Sequence, residues 1–573
     1  MKCWQLTVSN NFFTYQPPDH LTRKASHMFK QNPLTNCDSY KLGHMAQYPD
    51  GTELVYSNFT PRSDNHLNIP VTYKNGKMVW FGAQAIIMEM NSLWETEFFN
   101  KSVEEAEEMI TDFGRRVAPF VGPSGFDLDK IRELHAFGKL PIEVRALPEG
   151  SRVNIGVPVM VIMNTDPRFY WITNYLETWI STELWKMSNS ATIADVYKRI
   201  LVDYAAKTGS PVEFVQWQAH DFSMRGMSGV ADAAKSGAAH LLSFNGTDSL
   251  PAVDFLEQFY GGANTFIGGS VPATEHSVMC MGGEEDEIET FRRLIQDIYP
   301  RGVVSIVSDT WDFWRVITEY ATELKDVILS RGIDPNGLGK VVFRPDSGDP
   351  VRIICGYRAI EVDYLSAETL NEACGSNNFD GVVKCRSRYY KVETNAFGGY
   401  SSHEEIQKCV AAGAVQTLWG IFGGTITSKG FKVLNERVGL IYGDSITPHR
   451  ALEIMQRLES RGFASCNIVL GVGSYTYQHN TRDTLGFAMK ATYGVVNGKG
   501  REIFKAPKTD SGVKKSARGL LKVVKNEIGD YELIDRCTDI NDSGELRKIF
   551  KDGVFTLVEN IETIRARLAA SVS

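Results

Sequence analysis

Short runs of β-branched residues recur through the middle of the chain. Each ends in a loop of Gly, Ser, Asp or Arg, and helical periodicity often follows. GVVSIVSDT (302–310), KVVFRPDSGDP (340–350), VGLIYGDS (438–445) and NIVLGVGS (467–474) are the clearest cases. The third leads into ITPHRALEIMQRLESRG, whose apolar positions 446, 451, 452, 454, 455 and 458 fall at helical spacing, with Gly462 as the stop. Strands alternating with helices imply an α/β fold on a parallel sheet, open or closed into a TIM-like barrel, whose post-strand loops form the active face. The small residues of YGDS and GVGS would let backbone N–H groups approach an anion.

The flanks read differently. Residues 140–162 and 484–560 are rich in β-type runs with Gly punctuation. A β-rich domain made of 31–162 and 484–573 is therefore expected, wrapped around a barrel domain over 163–483. Within the barrel, the Gly, Ser and Asn stretches ACGSNNFDG and NAFGGYSS mark an insertion around 352–437. Residues 1–30 read as a polar extension with no apolar secretory segment, and Met28 is an alternative start.

Composition narrows the function classes. Of 573 residues, 43% are hydrophobic and 23% charged, the balance of a soluble globular protein. No run of 18 apolar residues suggests a membrane span. A net charge of −8 argues against a general nucleic-acid or membrane-surface binder. Nine cysteines, an odd number with no CxxC pair, fit a reducing cytoplasm better than a disulfide framework or a zinc site. The charge is uneven: between Arg482 and Lys522 ten Lys/Arg face three Asp/Glu. This is either a solvated face or a polyanion site.

NCDSYKLGHMAQYPDGTELVYSNFTPR (36–62), NTDPRFYWITNYLET (164–178), HDFSMRGMSG (220–229), FNGTDS (244–249), SVPATEHS (270–277), SIVSDTWD (305–312), RPDSG (344–348), YGDS (442–445) and the FKAPKTD and KKSARG segments of 504–519 together resemble the nicotinamide phosphoribosyltransferases. These belong to the type II phosphoribosyltransferases, which join an irregular α/β barrel to a β-rich domain. The resemblance runs in order from about residue 33 to about 555. It implies transfer of phosphoribose from 5-phosphoribosyl-1-pyrophosphate to nicotinamide in NAD salvage, with Mg²⁺ and ATP, in a homodimer with shared sites.

The resemblance assigns roles residue by residue. Phe222 and Tyr40 match an aromatic sandwich around the nicotinamide ring, the tyrosine coming with Asp38 from across the dimer interface. Asp248 matches a carboxylate that accepts a hydrogen bond from the carboxamide and repels nicotinate, with Ser305 and Arg344 nearby. Asp346, Gly443 and Asp444 match ribose-binding positions, and Asp309 an acid supporting the sugar cation or the metal. Arg62, Arg225, Arg344, Gly473, Ser474, Arg482, Lys490, Lys505 and Lys508 match phosphate-binding positions. His276 matches a histidine phosphorylated by ATP, with Glu275 placed to orient it; His220 reads as structural.

The sequence departs from the family pattern at Ser474, where a glycine is expected, at Ala488, where a serine is expected, and in the 98 residues separating Asp346 from Asp444. Three other readings remain open: a nicotinate phosphoribosyltransferase, a metal-dependent hydrolase using His220, Asp221, His276, Asp309 and Asp346, and a nucleotide sensor without catalysis. Asp248 disfavours the first. The second lacks HxH or HxxxH spacing near these residues, and the third sits poorly with retention of the whole residue set.

Overall fold

A computed structural model describes residues 31–117, 127–261, 265–443, 445–504 and 517–570. The polar extension over 1–30 lies outside these, as do Asp444, Lys505 and Lys508.

The β-branched runs form one six-stranded sheet. Its order is Gly246–Thr247, Ala219–Asp221, Val469–Val472, Val438–Tyr442, Val341–Arg344 and Val304–Val307, parallel at every pair. Such strands are covered on both faces, so they read as continuous apolar runs rather than alternating ones; Val304–Val307 is buried throughout. The sheet curls. Segment 269–274 bridges to Gly246 at one edge and to Ser305 at the other. Gly269 N–H donates to Asn245 O (2.8 Å) and Ser305 N–H to Pro272 O (2.9 Å).

The helix expected after YGDS runs over Pro448–Ser460. Thr447 caps it through its hydroxyl, Ala451, Ile454, Met455 and Leu458 are buried, and Gly462 takes the left-handed φ of +74° that ends it.

A second, seven-stranded sheet is antiparallel throughout: Lys499–Glu502, Ala488–Val496, Thr52–Thr60, Met160–Asn164, Ile142–Ala146, Arg547–Lys551 and Val554–Phe555. It draws strands from both ends of the chain. Residues 31–162 are less purely β than their sequence suggests, since helices Ala83–Trp94, Val103–Val117 and Leu128–Phe137 occupy much of them.

The 32-residue helix Glu177–Thr208 is buried on all sides along its middle, where its polar groups bond to neighbouring segments. The Ser188 and Thr192 hydroxyls accept the amides of Phe81 (3.1 Å) and Val79 (3.0 Å), and Asn189 donates to Thr481 O (2.9 Å). One apolar core extends from Leu34 to Leu568.

Within 352–437 a four-stranded sheet and helix Ala367–Cys374 enclose a separate small core of Leu370, Ala373, Val383 and Val392. No helix among the described residues is long and apolar enough to cross a membrane.

Candidate active site

The chemistry-bearing residues gather at the carboxyl ends of the parallel strands. Phe222 follows Ala219–Asp221, and Asp248 follows Gly246–Thr247. Asp309 lies just past Val304–Val307, while Arg344 ends its strand with Asp346 two residues on. Gly443 and Gly473 directly follow Val438–Tyr442 and Val469–Val472. Ligands bind at this end of parallel sheets because the connecting loops there converge.

On one side sits an aromatic and polar group. The rings of Phe222 and His220 lie 4.6 Å apart, and the Arg344 guanidinium is 6.0 Å from the Phe222 ring. His220 Nε2 is 2.9 Å from Asp248 Oδ1, which also accepts the Ser270 hydroxyl. Burial pushes the Asp248 carboxyl up, but His220, Ser270 and Arg344 outweigh it and hold the group below its ordinary value. The Ser305 hydroxyl is buried without a hydrogen-bond partner. His220, read from sequence as structural, holds the Asp248 carboxylate through this contact. Two residues 28 positions apart meet here because their strands are parallel neighbours. The fit is close: a Cβ added at Gly246 would lie 2.7 Å from His220 Nδ1.

On the other side lie two acids and a histidine. Asp309 Oδ2 accepts the amides of Asp346 (3.0 Å) and Ser347 (2.9 Å) and the Ser347 hydroxyl (2.5 Å). His276 Nε2 is 3.4 Å from Asp309 Oδ1 and 3.8 Å from Asp346 Oδ1. Burial alone would raise Asp309, yet the Ser347 hydroxyl, the two amides and His276 hold it below its ordinary value. Asp346 moves the other way, raised by burial and by the charge of Asp309. Glu275, expected to orient His276, instead accepts the Ser277 hydroxyl.

His276, Asp309 and Asp346 offer three ligand atoms within 4.8 Å of one another. Asp309 Oδ1 is buried with no hydrogen-bond donor, and hard carboxylate oxygens suit Mg²⁺. The residues present therefore fit that ion. Gly443 closes on this group, since an added Cβ would lie 3.1 Å from Asp346 Cβ.

The basic residues are more dispersed. Arg225 is exposed and its charge acts on Arg344. Arg62 Nε donates to Gly486 O (2.9 Å), and Arg482 lies 3.6 Å from Asp483. Lys490 is exposed on strand Ala488–Val496. Ser474 packs on the loop carrying Arg225: a Cβ added at Gly226 would sit 2.0 Å from its Oγ. Tyr40 is 61% exposed, with its hydroxyl on Asp38 (3.2 Å) and its ring against His44; no ring contact joins it to Phe222 of the same chain.

Comparison with known proteins agrees with this architecture. The family model described as "Nicotinate phosphoribosyltransferase (NAPRTase) family" matches residues 217–554, and "Nicotinamide phosphoribosyltransferase, N-terminal domain" matches 32–144. The chain belongs to the nicotinate phosphoribosyltransferase family. It is 50% identical over 543 residues to the nicotinamide phosphoribosyltransferase of Acinetobacter baylyi, covering 94% of this chain and 98% of that one. With the enzyme of the same name from Xanthomonas campestris pv. campestris it shares 30% identity over 553 residues, covering 95% and 99%. Among solved structures, nicotinate-nucleotide pyrophosphorylase from Pyrococcus furiosus shares the fold, with a TM-score of 0.50, 14% identity and coverage of 96% of this chain and 98% of that one.

Proposed function

We propose that this chain is a nicotinamide phosphoribosyltransferase. It joins the ring nitrogen of nicotinamide to C1 of 5-phosphoribosyl-1-pyrophosphate as the C1–O bond to pyrophosphate breaks. The ring nitrogen brings its own lone pair, so no general base is needed. The protein must orient a flat base and stabilise charge on the sugar and the leaving group.

One observation carries the choice of base: the Asp248 carboxyl, held below its ordinary value, bonds the same His220 imidazole that lies against the Phe222 ring. A carboxylate there accepts a hydrogen bond from a carboxamide and repels a carboxylate. Arg344 near the same ring favours nicotinate as the second reading. Its guanidinium, however, already donates to Thr274 O. The buried Ser305 hydroxyl supplies a further polar contact for the amide.

Through their carboxylates Asp309 and Asp346 would hold Mg²⁺, which when bound supplies the positive charge a departing pyrophosphate requires. Asp346, Gly443 and Asp444 take the ribose hydroxyls. Arg62, Arg225, Arg344, Gly473, Ser474, Arg482, Lys490, Lys505 and Lys508 take the phosphates. His276, half exposed and facing two acids, accepts a phosphoryl group from ATP and so couples ATP to product formation.

Exposed Tyr40, with Asp38, completes the aromatic sandwich of a second subunit, which makes the working unit a homodimer. The parallel sheet, joined at both edges by 269–274, is an irregular barrel, and the antiparallel sheet belongs to a second domain made from 31–162 and 484–573. Eight free cysteines among the described residues fit the cytoplasm.

The test is a product assay with phosphoribosyl pyrophosphate and Mg²⁺, comparing nicotinamide with nicotinate, with and without ATP, for the parent and Asp248→Asn. Strong preference for nicotinamide, relaxed in the variant, supports the reading. Equal or better use of nicotinate by the parent would overturn the choice of base.

A further inference from the structure

Between His220 and Phe222 stands a residue with no role in the chemistry so far described. Strand side chains alternate, so Asp221 points away from the base-binding side and into the layer beneath the sheet. It is fully buried. There it packs under helix Val230–His240, where a Cβ added at Gly237 would lie 3.0 Å from its Oδ2. A carboxylate in such a place is costly without compensation. Among the described residues no Lys or Arg forms an ion pair with it; its charge acts on the buried His240 and Tyr477, and its hydrogen bonds go to groups of two loops.

Those two loops carry the base-binding residues. Asp221 Oδ1 accepts the amide of Ser223 at 2.9 Å, fixing the turn that presents Phe222. Its Oδ2 faces the Thr247 hydroxyl at 3.4 Å, and its backbone carbonyl accepts the amide of Asp248 at 3.0 Å. The Thr247 hydroxyl in turn accepts the amide of Ser249 at 3.0 Å, closing the turn around Asp248. The aromatic platform and the discriminating carboxylate thus hang from a single residue that neither binds nor sees the substrate.

We infer that Asp221 is a positioning residue for base selection. It sets the distance between the Phe222 ring and the Asp248 carboxylate, and through that distance the preference between a carboxamide and a carboxylate. The inference rests on the reading of Asp248 given above. A displacement of even about 1 Å in such a pair is enough to cost a large factor in binding or rate. Asp221 touches none of the acids near His276, so its effect is confined to the base.

Three variants test this: Asp221→Asn, which keeps the shape and one acceptor; Asp221→Ala; and Thr247→Val, which reaches the same contact from its other side. KM for nicotinamide, KM for phosphoribosyl pyrophosphate, kcat and the nicotinamide-to-nicotinate preference are measured for each, with Tm as the check on folding. The expected result is a rise of about tenfold in the nicotinamide KM and a fall in base preference, with the phosphoribosyl pyrophosphate KM within about threefold of the parent. Should Asp221→Ala fail to fold, Asp221→Asn and Thr247→Val carry the test. An unchanged base KM in folded variants overturns the inference. So does a loss in which both KM values and kcat move together with Tm, the signature of a merely structural role. If the parent itself prefers nicotinate, the reading of Asp248 falls separately, and the positioning role is judged on the nicotinate KM.

Discussion

His276 Nε2 faces Oδ1 of Asp309 at 3.4 Å, while the other oxygen of that carboxylate is taken up by two amides and the Ser347 hydroxyl. One oxygen organises the loop that carries Asp346. The other is buried and lacks a donor, available to an imidazole or a cation.

Asp309→Asn separates the two jobs, because an amide oxygen still accepts the loop amides while the charge is gone. Activity should fall by about 10²- to 10³-fold, and the Mg²⁺ concentration giving half-maximal rate should rise. Thermal unfolding should shift only a few degrees. A variant within threefold of the parent would remove Asp309 from the chemistry.

His220→Ala leaves Asp248 without its imidazole partner. A lost hydrogen bond to a charged group should weaken nicotinamide binding by roughly tenfold, with the phosphoribosyl pyrophosphate KM unchanged. Steady-state kinetics at fixed pH measures both constants, and equal changes in the two would point to general loosening of the site.

Glu287 offers a test of stability against pH. It is buried, with Oε1 lacking a partner, and burial pushes its carboxyl up to about 7. A folded-state pKa above the unfolded one contributes stability that is complete below the ordinary carboxylate range and lost as pH rises through about 7. Glu287→Gln should therefore stabilise the protein at pH 8, by on the order of 2 kcal/mol, and much less at pH 5. Denaturant titration at the two pH values shows it; an equal effect at both would disprove the assignment.

The 352–437 segment is fastened to helix Pro448–Ser460 through Asp380, which bonds Arg457 (2.7 Å) on that helix as well as Arg352 and the amide of Arg358 (2.9 Å). Burial alone would raise this carboxyl, but the two guanidiniums outweigh it and hold it well below the usual range. Asp380→Ala leaves Arg352 without this carboxylate and Arg457 with Glu453 alone, at a cost of about 1.5–3 kcal/mol to that attachment. Limited proteolysis should then cut within 357–412 much faster than in the parent, while kcat stays within about twofold. Unchanged cleavage would show that the anchor lies elsewhere.

What could be read from sequence follows from the range of the interactions. Helix Pro448–Ser460 was legible because its cap, apolar face and terminal glycine are all local signals. Asp309, Asp346 and Gly443 were legible because each follows a β-branched run that marks a strand end. The pairing of His220 with Asp248 was not, because only strand adjacency brings them together. Nor was the sheet within 352–437: its strand Tyr400–Ile406 is largely exposed and polar, so no burial pattern announces it. The helices of 83–137 were passed over in favour of the Gly-punctuated run over 140–162, although Ala83–Trp94 has buried residues at helical spacing.

Strand Thr52–Thr60 lies between Met160–Asn164 and Ala488–Val496. On the ribosome its first neighbour arrives about a hundred residues later, but the second is among the last parts of the chain to be made. At ordinary elongation rates this leaves one hydrogen-bonding edge bare for roughly 20–90 s. An uncovered strand edge is a template for pairing with other nascent chains. Yield in the cell should therefore depend on how well that edge is shielded during synthesis, and any truncation before residue 488 leaves it open for good.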